Sequence, residues 1–141
     1  MVKIDARAWQ VVVEHCRRAY PLEGCGALWG ALEGADASVC HAAPLRNVYA
    51  GVQRSSYEID LEELLVADRE ARELGLRLVA IFHSHPDRDA YFSEKDFQNG
   101  CPWYRYVVLS VRHGELKRAC CWRLDDKGRT AVEEELVITS A

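Results

Sequence analysis

The feature that most constrains this chain is an apolar run, Leu76-Arg-Leu-Val-Ala-Ile-Phe82, that ends on His83-Ser-His85-Pro86. Only Arg77 interrupts it, so it reads as a strand buried on both faces rather than one with a wet side. A strand of that kind needs a layer above it and a layer below, which predicts an α/β fold with a mixed β-sheet flanked by helices. The two histidines then stand where a central strand ends, and open α/β sheets place their sites there.

The remaining segments supply those layers. Asp5 caps a helix running to about Ala19, with Ala8, Trp9, Val12, Val13 and Cys16 at helical spacing, and Met1–Asp5 leads straight into it. Tyr20-Pro21 ends that helix, because a residue before proline is pushed out of the helical region. Gly24–Gly34 and Ala37–Ala43 read as two strands joined by a turn at Gly34-Ala-Asp36. Ser55–Ile59 reads as a short strand. Asp60 caps a second helix, with Glu63 completing an Asp-x-x-Glu box. Its apolar stripe is Leu61, Leu64, Leu65, Ala67, Ala71 and Leu74, and Gly75 stops it. A short helix starts at Ser93. Tyr104–Val111, Leu116–Leu124 and Thr130–Ile138 read as three more strands, turning at His113-Gly114 and Asp126-Lys-Gly128. With no repeat, low-complexity tract or linker, residues 1–141 are expected to form a single domain.

Composition narrows the function classes. The net charge is −4 and no basic run exceeds Arg17-Arg18, which argues against a dedicated nucleic-acid binder. No stretch reaches the roughly 18–20 apolar residues that span a bilayer, and the start lacks the apolar core of a signal peptide. A cytoplasmic location without membrane attachment is the expectation. The six cysteines are dispersed through apolar segments without a Cys-x-x-Cys pair, so they read as reduced, buried thiols. Cys120 and Cys121, adjacent on a strand, point to opposite faces.

The segment from His83 to Asp96 carries the chemistry. Histidines at i and i+2 on extended backbone project to the same side, with Cα atoms roughly 6.5 Å apart. Two imidazoles at that separation can converge on one ion. Pro86 cannot donate to a sheet ladder and stops the strand just past the pair. The chain can then return Asp96, from the first turn of a helix, as an oxygen ligand. Two histidines and one carboxylate leave a fourth position open, the arrangement of a catalytic zinc site. Glu23 is the candidate general base, on a Gly-rich entry to a strand. Ser93 is placed to donate to a developing oxyanion.

These residues resemble the signature of the JAMM, or MPN-plus, metallopeptidases: a distant glutamate, then His-x-His-Pro, a short spacer, and Ser-x-x-Asp. Here they are Glu23, His83-Ser-His85-Pro86, the spacer Asp87 to Phe92, Ser93 and Asp96. The context Pro21-Leu-Glu23-Gly-Cys-Gly-Ala-Leu-Trp-Gly30 is similar to the family's Pro-x-Glu-x-Cys-Gly-x-Leu-x-Gly segment. Tyr57-Glu-Ile-Asp60 and Leu78-Val-Ala-Ile-Phe82 also resemble its framework. The resemblance implies a cytidine-deaminase-like JAB/MPN fold and a zinc ion held by His83, His85 and Asp96. It also implies Glu23 and Ser93 as catalytic residues, and hydrolysis of peptide or isopeptide bonds. The implied partner is a ubiquitin-like, sulfur-carrier type protein, cut at its C-terminal tail or from lysine conjugates. Phe92 stands where family members often carry proline. Only Phe97–Trp103 separates Asp96 from the next strand, so the chain is similar to minimal prokaryotic members.

Each residue also has a plainer reading. Ser93-x-x-Asp96 is equally a capping box that starts a helix. Glu23 alone would pass for a surface carboxylate, and Cys25 for a small buried thiol. Tyr91, Phe92, Trp103 and Tyr104 could line a groove or fill a core. His15, His41 and His113 have no ligand role. Zinc deaminases need His-x-Glu and Pro-Cys-x-x-Cys, whereas His85 occupies the glutamate position and Cys101-Pro102 runs in reverse. The alternative function is a catalytically silent scaffold or interaction module, which would lack a ligand; here none is missing.

Overall fold

The computed structural model describes residues 1–140. Its strands are β1 (Val2–Asp5), β2 (Cys25–Glu33), β3 (Asp36–Leu45), β4 (Arg77–Pro86), β5 (Arg105–Arg112), β6 (Glu115–Leu124), β7 (Ala131–Glu134) and β8 (Leu136–Thr139). Its helices are α1 (Ala6–Ala19), α2 (Leu61–Glu73) and α3 (Glu94–Asn99). The strands form one mixed sheet in the order β7-β6-β5-β4-β2-β3-β1-β8.

The run that ends on the histidines is the axis of this sheet. Every residue of β4 from Leu78 to Pro86 is buried. Antiparallel β2 lies on one side of it and parallel β5 on the other. On one face α1 sets Ala8, Val12 and Cys16 against Val79, Phe82, Val107 and Leu109. On the other, α2 brings Ala67 and Ala71 over Leu78, Ile81, Tyr106 and Val108. A side chain such as Phe82, wholly removed from water, contributes about 1.5–3 kcal/mol. Cys121 faces the first core and Cys120 the second, as their adjacency requires.

Expectations for three segments of strand need correction. Met1–Asp5 does not lead straight into the helix: Val2–Asp5 is a strand, parallel to both β3 and β8. Thr130–Ile138 is not one strand. It divides at Glu135 into β7, paired with β6, and β8, paired with β1. Since these are the two ends of the sheet and one residue joins them, the sheet must curl until its edges meet. Glu134 fastens the seam, accepting from the Met1 amino group at 3.0 Å and from Arg105 Nε at 3.2 Å. Asp36 takes the same amino group at 2.9 Å, and Arg105 also donates to the Ala35 carbonyl. Ser55–Ile59, finally, is no strand; a single bridge pairs Ile59 with Asn47. Side-chain amides replace the ladder there: Asn47 Oδ1 accepts from Tyr49 N and Glu58 N, and Gln53 Nε2 donates to the Asn47 and Tyr49 carbonyls.

Helix α2 starts and stops where expected, with Gly75 at φ +72°. Its stripe is only half covered, since small Ala67 and Ala71 make the contact while Leu61 stays 66% exposed. Asp60 caps Glu62 N, but Glu63 does not close the box; it grips Arg46 instead, at 2.6 Å from Nε.

Gly30 sits at a register shift between β2 and β3, where a Cβ would come within 1.8 Å of the Ser38 carbonyl oxygen. Gly30→Ala is therefore expected to cost about 3 kcal/mol by overpacking. Gly34→Ala, with open space but φ +65°, is expected to cost only about 1–2 kcal/mol in strain. Urea unfolding midpoints of the two variants check the order.

Candidate metal centre

His83 and His85 leave β4 on the same face, because they are two residues apart on a strand. Their Nε2 atoms stand 3.3 Å apart. The start of α3 faces them. Ser93 Oγ accepts the Asp96 N–H at 3.1 Å, and Asp96 Oδ2 accepts the Ser93 N–H at 2.9 Å. This complete capping box aims the carboxylate inward. Asp96 Oδ1 lies 3.1 Å from His83 Nε2, and Oδ2 lies 3.3 Å from His85 Nε2. All three side chains are buried.

The protonation states follow from the neighbours. His85 Nδ1 is 2.8 Å from the Asp89 carbonyl, which can only accept, so Nδ1 carries the proton and Nε2 presents a lone pair. Burial pushes His83 down toward the neutral imidazole. Burial opposes charge on Asp96, yet the neighbouring His83 and the Ser93 N–H hold its carboxyl well below the usual carboxylate range. Neutral imidazoles and an ionised carboxylate are the forms that bind metal. A lone pair and a carboxylate oxygen facing each other at 3.3 Å repel unless a cation lies between them. Tetrahedral ligands at about 2.0–2.1 Å from zinc are themselves about 3.3–3.4 Å apart, against the 3.1–3.3 Å found here. These residues can hold zinc and leave its fourth position open.

His83 is oriented differently from His85. Its Nδ1 is buried without a partner among the described residues. Instead the buried ring of Tyr57 stacks on it at 4.4 Å and 23°.

Glu23 precedes β2, and the pairing of Cys25 with His83 carries it to the same end of β4. Its backbone is pinned on both sides. Glu23 N donates to the Gln53 carbonyl, Asn47 Nδ2 donates to the Glu23 carbonyl, and Gly24 N donates to Ser84 Oγ. A carboxylate oxygen lies within 4.8 Å of the imidazole nitrogens. Glu23 with the two histidines is thus a second conceivable donor set. Asp96 is the better third donor, since its oxygens stand at 3.1 and 3.3 Å from the imidazole nitrogens, whereas the Glu23 carboxylate is held by Arg88 at 2.8 Å. Burial raises the Glu23 carboxyl to about 8, Asp96 adds to the rise, and Arg88 opposes it. Arg88 donates to Glu23 Oε2 at 2.8 Å. Burial pushes the Cys25 thiol up to about 12, so it is a core residue and no nucleophile.

All five residues singled out from the sequence, Glu23, His83, His85, Ser93 and Asp96, meet at this one place. Among the aromatics, Tyr91 sets its ring edge against His85 at 5.1 Å. Phe92 packs into the core with Phe97 and Tyr106. Trp103 is 70% exposed, away from the site beside Arg72 and Arg77. Sequence reasoning missed Tyr57 as a support, the Asp89 carbonyl and Arg88. Of these, only Arg88 carried a signal, a charge in the loop between the proposed ligands.

Residues 5–125 match the model of the prokaryotic homologs of the JAB domain. A CysO-cysteine peptidase of Mycobacterium tuberculosis is 34% identical over 135 residues, covering 95% of this chain and 88% of that protein. A desampylase of Haloferax volcanii is 30% identical over 114 residues, covering 77% and 80%. Among solved structures, a Desulfitobacterium hafniense protein aligns with a TM-score of 0.87 at 26% identity, covering 100% of this chain and 94% of that one. A JAB1/MPN domain protein from Archaeoglobus fulgidus aligns at 0.59 and 18% identity, covering 96% and 98%, and shares the fold.

The geometry predicts one zinc per chain, lost in His85→Ala. Because stacking orients His83, Tyr57→Phe should keep zinc affinity, while Tyr57→Leu should weaken it about 10- to 100-fold. Competition against a chromogenic chelator measures both.

Proposed function

The chain belongs to the family of prokaryotic homologues of the JAB domain, and from that premise we propose that it is a zinc-dependent peptidase. Its proposed substrate is a ubiquitin-like, sulfur-carrier type protein, cut at the C-terminal tail or released from lysine conjugates. The observation that carries the reading is the buried triangle of His83, His85 and Asp96 with a Glu23 carboxylate oxygen within 4.8 Å of the imidazole nitrogens. Relatives named as a CysO-cysteine peptidase and a desampylase support it.

Zinc held by His83, His85 and Asp96 supplies Lewis acidity toward the scissile carbonyl and a nucleophile at neutral pH. The residues do the rest. Glu23 takes a proton from the attacking water and delivers it to the leaving nitrogen as the C–O bond forms and the C–N bond breaks. Burial raises the Glu23 carboxyl above the ordinary range, which strengthens it as a proton acceptor. Ser93 Oγ already accepts the Asp96 N–H, so its own hydrogen is free to meet the developing oxyanion. Glu23 also lines a cleft of about 920 Å³ bounded by residues of α1 and α2, which none of His83, His85, Ser93 and Asp96 lines.

The silent-scaffold alternative finds no support in the donor set, which has every member. Six free thiols fit a reducing, cytoplasmic compartment. No helix among the described residues is long and apolar enough to cross a membrane. The acidic net charge disfavours a nucleic-acid partner.

The test is incubation of the zinc-loaded protein with ubiquitin-like carriers extended beyond a terminal Gly-Gly, with and without chelator, read by mass spectrometry. Cleavage at the Gly-Gly end that chelator abolishes is expected. Glu23→Gln should keep its zinc and lose about 10²- to 10⁴-fold in kcat. Near-full turnover in Glu23→Gln would remove Glu23 from the mechanism.

A further inference from the structure

Arg88 is the charged group closest to Glu23 that the mechanism does not use. Its loop is held at three successive residues. The Asp87 carboxylate accepts from Tyr20 Oη at 2.7 Å and from His113 N at 3.0 Å. The Arg88 carbonyl accepts from Ser110 Oγ, and the Asp89 carbonyl accepts from His85. The backbone beneath the guanidinium is therefore fixed. The side chain is 30% exposed, at the mouth of a site in which Glu23, His83, His85 and Asp96 are buried. One N–H meets Glu23 at 2.8 Å, and another reaches Tyr91 Oη only at 3.5 Å. A guanidinium has five N–H donors, and Nε has no acceptor among the described residues. Lys95, the next cation, is engaged elsewhere, on Ser56 Oγ at 2.7 Å and over the Tyr49 ring.

We propose that Arg88 is a specificity-determining residue that binds the α-carboxylate of the leaving residue, so the enzyme favours removal of a single C-terminal residue. This rests on the peptidase reading above. The leaving nitrogen must come within about 2.6–3.2 Å of Glu23 to receive its proton. In a C-terminal residue, the carboxylate carbon lies only about 2.5 Å from that nitrogen, two bonds away. Arg88 is already 2.8 Å from Glu23, so the carboxylate arrives beside the unused N–H groups. Without that cation, it would enter against the charges of Glu23 and Asp96. A cut within a chain presents a neutral amide at that position. A lysine isopeptide presents methylenes, with its nearest backbone carbonyl roughly 6 Å from the nitrogen. Neither uses the fork.

Three synthetic peptides with the same Gly-Gly tail test this. One continues into alanine as the free acid, one into alanine amide, and one is joined to the ε-nitrogen of acetyl-lysine amide. Wild-type protein loaded with zinc should cleave the free acid with kcat/KM about 10- to 100-fold above the other two, the ratio that a charge-assisted hydrogen bond supplies. Arg88→Gln should bring the acid-to-amide ratio close to one, and Arg88→Lys should keep part of it. Titration calorimetry on metal-stripped wild-type protein should show the free acid binding tighter than the amide, and Arg88→Gln should abolish the difference. Equal cleavage of acid and amide by the wild type overturns the proposal and leaves the peptidase reading standing. So does an unchanged ratio in Arg88→Gln, or faster turnover of all three peptides, which would make Arg88 a restraint on Glu23. Cleavage of none of the three by the zinc-loaded wild type counts against the peptidase reading itself, and the proposal falls with it.

Discussion

Three buried donors converge within 3.3 Å of one another, two imidazole nitrogens and a carboxylate, and the local structure is organised to hold them there. Left alone, such a group would relax by turning a ring or withdrawing a side chain. Each route is closed. The Asp89 carbonyl fixes the His85 ring and its tautomer, Tyr57 presses on the His83 ring, and the Ser93 capping box ties Asp96 to the start of α3. Behind them β4 is locked between β2 and β5 and buried over nine residues. A close-packed interior of this kind does not deform gradually, so the donors stay aimed at a common point.

Glu23 is governed by a balance rather than by one contact. Burial and the nearby Asp96 favour its proton, and Arg88 favours its charge. In a water-poor site these interactions are stronger than at a surface, so small displacements of Arg88 change the basicity of Glu23. A carboxylate that occupies Arg88 weakens that restraint and raises the proton affinity of Glu23. The same residue can thus recognise a charged leaving group and adjust the base that serves it.

The central strand, both long helices and the placing of His83 and His85 on one face were legible because each has a local cause, whereas Glu23 was reached only through the family resemblance. Apolar continuity marks β4, caps and stops mark α2, and a spacing of two residues puts His83 and His85 on one face. What was not legible depends on distant pairing. Val2–Asp5 is four residues long and becomes a strand only because β3 and β8 flank it. The division of Thr130–Ile138 has no signal at Glu135, since it follows from the curl of the whole sheet. Ser55–Ile59 has strand-like residues, but the amides of Asn47 and Gln53 outcompete a ladder. Tyr57 as a support of His83 was invisible, because stacking leaves no spacing rule.

The molecule carries two clusters of charge with opposite characters. At the seam, the Met1 amino group and Arg105 meet Asp36 and Glu134, and the charges cancel within the protein. Arg105 pairs with Ala80 on β4, and Ser110 with His85, so five residues of strand, about 16 Å, separate seam from site. At the site, Glu23 and Asp96 face one direct cation, Arg88, with the two imidazoles between the carboxylates. Burial, with Asp96 adding to it against Arg88, raises the Glu23 carboxyl to about 8. In the proposed enzyme a divalent ion among the donors would favour the charged form of Glu23. The seam's charges are all paired within the protein, whereas the site keeps converging donors and unused guanidinium N–H groups, and on these two features the proposed metal and substrate rest.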